Sequence, residues 1–140
     1  VSEVRIADTS QDIARCFAVL RELRPHLAEE SFVSRIQAQN GQGFRLAYLE
    51  HEGAVVAVGG FRIMEMLASG RTLYVDDLVT SDAHRSQGFG ATLLQWLEQH
   101  ARDNGCDTFS LDSGTQRWEA HAFYFRERMR VTSFHFAKKL

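Results

Sequence analysis

Hydrophobic and polar positions along the chain switch several times between a spacing of two and a spacing near four, and the switches mark the elements. A short strand is expected over 4–7, followed by a helix over 11–23 that Asp8, Thr9 and Ser10 can cap and that Pro25 stops. A second helix is expected over 28–39, ending at Asn40-Gly41. Phe44, Leu46 and Tyr48 alternate as one face of a strand, the Glu52-Gly53 turn follows, and the Ala/Val run over 54–61 reads as a strand buried on both faces. A β-branched strand over 71–80 then gives way to a helix from about residue 87 to 104, with Phe89, Leu93, Leu97 and Ala101 on one side and Gly105 as its cap. A strand over 108–112, a helix over 116–128 and an alternating strand over 131–137 complete the pattern. A strand, helix and strand of these lengths imply a parallel pair joined by a right-handed crossover, so the predicted class is α/β, a mixed sheet with helices on both faces.

With 140 residues, 44% of them hydrophobic, the chain can bury a real core, and no linker or repeat divides it, so one domain spanning 1–140 is expected. A net charge of −2 argues against a nucleic-acid partner. No apolar run reaches membrane-spanning length, which predicts a soluble, cytoplasmic chain with no membrane partner. Cys16 and Cys106 are far apart and read as reduced, buried thiols, and the six histidines are scattered without ligand spacing, so no metal site is expected.

The stretch with the most chemical content is Arg85-Ser86-Gln87-Gly88-Phe89-Gly90, where the strand over 71–80 ends and the long helix begins. Unpaired N–H groups at a helix start bind phosphate oxygens, glycines let such a ligand approach the backbone, and Arg85 adds charge. Neither a Walker loop nor a dinucleotide fingerprint is present, because no Lys-Ser/Thr pair follows and Leu93 stands where a third glycine belongs.

The spacing of Arg85, Gly88 and Gly90 resembles the signature of the GNAT acyltransferase superfamily, and so does the approach to it, Tyr74-Val75-Asp76-Asp77-Leu78-Val79-Thr80. Downstream, Ala120-His121-Ala122-Phe123-Tyr124 is similar to that family's Ala-x-x-Phe-Tyr helix. The similarity reaches essentially the whole chain and implies the GNAT acyl-CoA N-acyltransferase fold. Three departures from the family pattern stand out: Arg117 replaces a frequent Asn, Arg128-Met129 replaces Gly-Phe, and Thr80 stands in place of the Val of the Leu-x-Val run.

The resemblance implies an N-acetyltransferase that moves the acetyl group of acetyl-CoA directly to a primary amine of a small molecule or protein. Under it, Arg85, Ser86, Gln87, Gly88, Phe89, Gly90 and Ala91 hold the pyrophosphate, Leu78, Val79 and Thr80 pair with the pantetheine arm, and Arg117 stands at a cofactor contact. Tyr124 is the implied proton donor. Periodicity puts it at the edge of an apolar stripe formed by Trp118, Ala122, Phe125 and Met129. Asp76 and Asp77 are the candidate bases that deprotonate the amine, and strict alternation would point only one of them toward a cleft unless the strand bulges. Arg24, His26 and Tyr74 are candidate acceptor contacts, and the acidic pair would suit a cationic amine. Rival readings are a non-catalytic acyl-CoA-binding module of the same fold, or an acyltransferase with another acyl donor or a hydroxyl acceptor. An exposed sheet edge after the last helix would leave room for a homodimer.

Overall fold

The computed structural model describes residues 1–140, which group into two compact units, Val1–Ser110 and Leu111–Leu140. The first unit opens with β1 (Ser2–Ile6), then α1 (Ser10–Arg15), α2 (Phe17–Leu23) and α3 (Glu29–Asn40). The single helix expected over 11–23 is therefore two. Cys16 closes a tight turn between them, its amide donating to the Ile13 carbonyl at 3.0 Å. Of the three capping candidates, Thr9 does the work, its hydroxyl accepting the Asp12 amide at 3.1 Å.

Next come β2 (Phe44–His51), β3 (Ala54–Met66) and β4 (Gly70–Thr80), which with β1 form an antiparallel meander. β3 runs five residues beyond its expected end at 61, because Arg62 to Met66 find β4 as a ladder partner. After α4 (Phe89–Asp103), β5 (Thr108–Leu111) takes its place next to β4 at the edge of the five-stranded sheet. The Asp107 amide donates to the Arg71 carbonyl at 2.7 Å and the Thr108 hydroxyl to the Ser69 carbonyl at 2.8 Å, so β4 and β5 begin side by side.

Within the first unit the two sheet faces carry different helices. Ile13, Phe17, Leu20, Phe32 and Ile36 of α1–α3 share a core with Phe44, Leu46, Tyr48, Val58 and Val79. On the other face Leu93 and Leu97 of α4 lie over Gly59, whose missing side chain lets the helix sit close. Leu93 and Leu97 are fully buried, which contributes about 2 kcal/mol each at the usual apolar-area rate.

The second unit holds one helix, α5 (Trp118–Arg126). The strand expected over 131–137 does not form. That segment has no regular structure, and Val131, Phe134 and Phe136 are exposed. Alternation marks a segment able to line a sheet, but the strand needs a ladder partner and this segment has none. The apolar stripe expected on α5 is also misplaced. Trp118 and Phe125 are 78% and 57% exposed, while Ala120, Phe123, Tyr124 and Glu127 are half-buried. Tyr124 thus belongs to the covered face rather than to its edge. Large apolar residues occur nearly all round this helix, so spacing alone selects the wrong side.

Candidate active site

The acidic pair sits where the β3–β4 ladder slips. Gly60 pairs with Asp77 and Phe61 pairs with Val75, so Asp76 is an extra residue with no partner on β3. The bulge answers the question that alternation leaves open, since both carboxylates reach groups on the face that carries α1–α3.

Asp76 is gripped by Arg62, whose Nε and Nη2 donate to the two carboxylate oxygens at 3.1 and 2.6 Å. The Arg62 guanidinium lies over the Phe44 ring, 5.2 Å from its centroid. Arg62 is a residue of this site that the sequence pattern does not single out, because it falls beyond the expected end of β3. Asp77 accepts a 2.8 Å bond at Oδ1 from Nε of Arg24, which stands at the end of α2, and Nη2 of Arg24 also donates to the Asp76 carbonyl at 3.2 Å. Burial pushes the Asp77 carboxyl above the ordinary aspartate range, outweighing the lowering by Arg24.

Of the other candidates on this side, Tyr74 is the β4 partner of Arg62, and His26 is exposed in the link between α2 and α3. Leu78, Val79 and Thr80 continue β4 opposite Gly59, Val58 and Ala57.

β4 leads through one 3-10 turn, Asp82–His84, to the glycine loop. Ser86 and Gly88 take left-handed backbone conformations, with φ of 65° and 82°. Gly88 is the N-cap of α4, no side chain caps the helix and its first turn carries no acidic residue. The Thr92 amide closes the first helical bond to the Gly88 carbonyl at 3.0 Å, leaving the amides of Phe89, Gly90 and Ala91 without a partner inside the helix. A Cβ on Gly88 would meet nothing within 4 Å, so the approach is open. Arg85 is exposed and pairs with Asp82 at 2.8 Å, Gln87 is exposed, and Phe89 is buried with its ring 4.8 Å from that of His51. The loop therefore offers donors, space and an exposed cation to a phosphate-bearing ligand, which fits an acyl-CoA.

In the second unit Arg117 is the N-cap residue of α5 and is exposed. Burial raises the Tyr124 phenol above its ordinary value, opposed by the weaker pull of Arg117. Cys16 is fully buried, its thiol pushed up to about 12 by burial, whereas Cys106 is only half-buried, contrary to expectation. No group of three or more His, Cys, Asp or Glu residues is placed to hold a metal ion, and no helix is long and apolar enough to cross a membrane.

An uncharacterized N-acetyltransferase of Bacillus subtilis (strain 168), YhdJ, is 32% identical over 117 residues, 83% of this chain and 82% of that protein. An aminoalkylphosphonate N-acetyltransferase of Salmonella typhimurium is 36% identical over 66 residues, which are 47% of this chain and 43% of that protein. Among solved structures, an aminoglycoside N-acetyltransferase in complex with CoA superposes with a TM-score of 0.86 at 9% identity, covering 100% of this chain and 95% of that one, a likeness of fold alone. Residues 7–129 match the acetyltransferase (GNAT) family, which takes in the bulged acidic strand, the glycine loop and the tyrosine helix together, and the chain belongs to that family.

Proposed function

We propose that the protein is an acetyl-CoA-dependent N-acetyltransferase whose acceptor is a primary amine, with Asp77 as the base. The observation that carries the reading is the uncapped start of α4 at Gly88, with free first-turn amides, no acidic residue in its first turn and open space above it, in the segment that follows an enclosed carboxylate on β4. When bound, acetyl-CoA supplies an acyl group activated as a thioester.

The amides of Phe89, Gly90 and Ala91 hold pyrophosphate oxygens, and Arg85 leaves Asp82 at little cost to join them, since an exposed ion pair contributes under about 1 kcal/mol. Ser86 and Gln87 shape the loop, and the backbone of Leu78, Val79 and Thr80 lines the extended pantetheine arm. Asp77 serves as base rather than Asp76 for a geometric reason. Both oxygens of Asp76 are committed to Arg62, while Asp77 commits only Oδ1 to Arg24 and has its proton affinity raised by burial. An ammonium ordinarily stays protonated at neutral pH, so removing its proton is the step that needs a carboxylate. Tyr124, a phenol that carries its proton at neutral pH, is the proposed donor to the departing sulfur.

The reading is tested by thermal unfolding with saturating acetyl-CoA, free CoA or ATP. Ligand at about 100 times its Kd contributes about 2.7 kcal/mol, so acetyl-CoA and CoA should raise the midpoint by several degrees and ATP should not. No shift with either CoA species removes the proposal.

A further inference from the structure

The two acidic residues that would suit a cationic acceptor are already matched by two arginines. Arg62 and Asp76 form a closed, two-bond pair, and Arg24 is fixed to Asp77 by Nε and to the Asp76 carbonyl by Nη2. The four charges sum to zero, so the site exerts no net pull on an ammonium group. Arg62 is more enclosed, with 24% of its side chain exposed, and Arg24 is open, with 44%.

A guanidinium has five N–H donors. The two bonds of Arg24 use one at Nε and one at Nη2, which leaves both hydrogens of Nη1 and the second of Nη2. The nearest acidic neighbour in the chain, Glu22, is engaged elsewhere, its carboxylate accepting the Asp82 amide at 2.8 Å. A cation that is half-exposed, held by two bonds and left with unused donors is preorganised to receive an anion.

We propose that Arg24 is a specificity-determining residue that selects amines carrying an anionic group, a carboxylate, phosphate or phosphonate. This rests on the acetyltransferase reading above. The amine of such an acceptor lies toward the free oxygen of Asp77 while its acidic group takes the unused N–H donors of Arg24, one guanidinium away, a distance that a short carbon spacer bridges. A diamine has no such arrangement. Its second ammonium meets the Arg24 guanidinium, which repels it instead of binding it.

The test measures CoA release by the full chain with acetyl-CoA and four acceptors: phosphoethanolamine, β-alanine, ethanolamine and ethylenediamine. The anionic pair should exceed ethanolamine in kcat/KM by about tenfold or more, mostly through KM, as expected for one charged hydrogen-bonded contact. Arg24→Gln should bring that ratio close to one, and Arg24→Lys should keep part of it, with the acetyl-CoA thermal shift unchanged in both. The proposal is overturned if ethanolamine or ethylenediamine is used as well as the anionic pair, if the preference survives Arg24→Gln, or if a chain stabilised by acetyl-CoA acetylates none of the four. A chain that acetyl-CoA fails to stabilise removes the acetyltransferase reading itself, and this inference with it.

Discussion

Gly60 faces Asp77 across the β3–β4 ladder, and a Cβ on residue 60 would stand 2.8 Å from Oδ2 of Asp77 and 2.6 Å from Cζ of Phe44. Both distances are too short for a real carbon. The glycine is what allows the acid and the aromatic ring to share one spot on the sheet. Phe44 is 3% exposed and packed in the core, so it cannot swing away freely. Gly60→Ala should therefore cost about 1 to 3 kcal/mol in urea unfolding, as an overpacked core does, and should lower activity further by displacing Asp77. Wild-type stability in that variant would show that the crowding is relieved by a small shift and that Gly60 does not position the acid.

The Arg24–Asp77 pair sets a pH dependence with a definite sign. Burial raises the Asp77 pKa above its ordinary value of 3.8, and Arg24 works against the rise. As a base, Asp77 acts only when ionised, so kcat/KM falls as pH drops through that raised value. Arg24→Gln removes the lowering influence, and the acid limb of the profile should move to higher pH. For stability the sign is opposite to that of a surface-paired acid. The fold favours the protonated form, so this contribution is complete below pH 3.8 and is lost as pH rises through the folded value. Asp77→Asn should accordingly gain stability relative to the parent between acidic and neutral pH. A relative loss over that interval would show that the ion pair with Arg24 outweighs burial.

Gly88 separates two explanations for a glycine in a ligand loop. It has a φ of 82°, and the space its Cβ would fill is empty. The free chain needs glycine there for the backbone angle rather than for room. Gly88→Ala should cost about 1 to 2 kcal/mol, the usual penalty for a left-handed residue, and Gly88→Asn should cost less because Asn tolerates that region. Melting curves of the two apo variants measure this. Their acetyl-CoA affinities then tell whether a bound pyrophosphate fills the space, since any Cβ, in Asn as in Ala, would weaken it.

Much of this was legible in the sequence where local pattern and local chemistry coincide. The run from Tyr74 to Thr80, the glycine loop and the stripe of α4 each carry their own signal, and the structure has those elements within a residue or two of the expected bounds. What depends on distant partners was not legible. Nothing near Arg62 in the chain shows that it lies against Tyr74 and grips Asp76, and the bulge that frees Asp76 exists only as a mismatch between two strands. The segment 131–137 fails in the other direction, with the alternation of a strand and no ladder to join. The exposed Trp118 and Phe125 belong to the same class, because which side of an apolar helix is covered is decided by what packs on it.

The end of α5 offers a test of termination chemistry beside the tyrosine. The Met129 amide donates to the Tyr124 carbonyl and the Arg128 amide to the Phe125 carbonyl, both at 3.0 Å, the paired bonds of a Schellman motif. α4 ends the same way, with Cys106 donating to Ala101 at 2.9 Å and Gly105 to Arg102 at 3.1 Å. The residue that must turn left-handed is Gly105 in one helix, with φ of 71°, and Arg128 in the other, with φ of 67°. One of these is free of steric cost and the other is not. Arg128→Gly should stabilise the protein by about 1 kcal/mol, somewhat less than the full left-handed penalty because glycine also gains freedom in the unfolded chain. Gly105→Ala should destabilise by a similar amount. Urea unfolding of both variants measures the pair, and a loss of stability in Arg128→Gly would mean that the arginine side chain contributes more than its backbone angle costs.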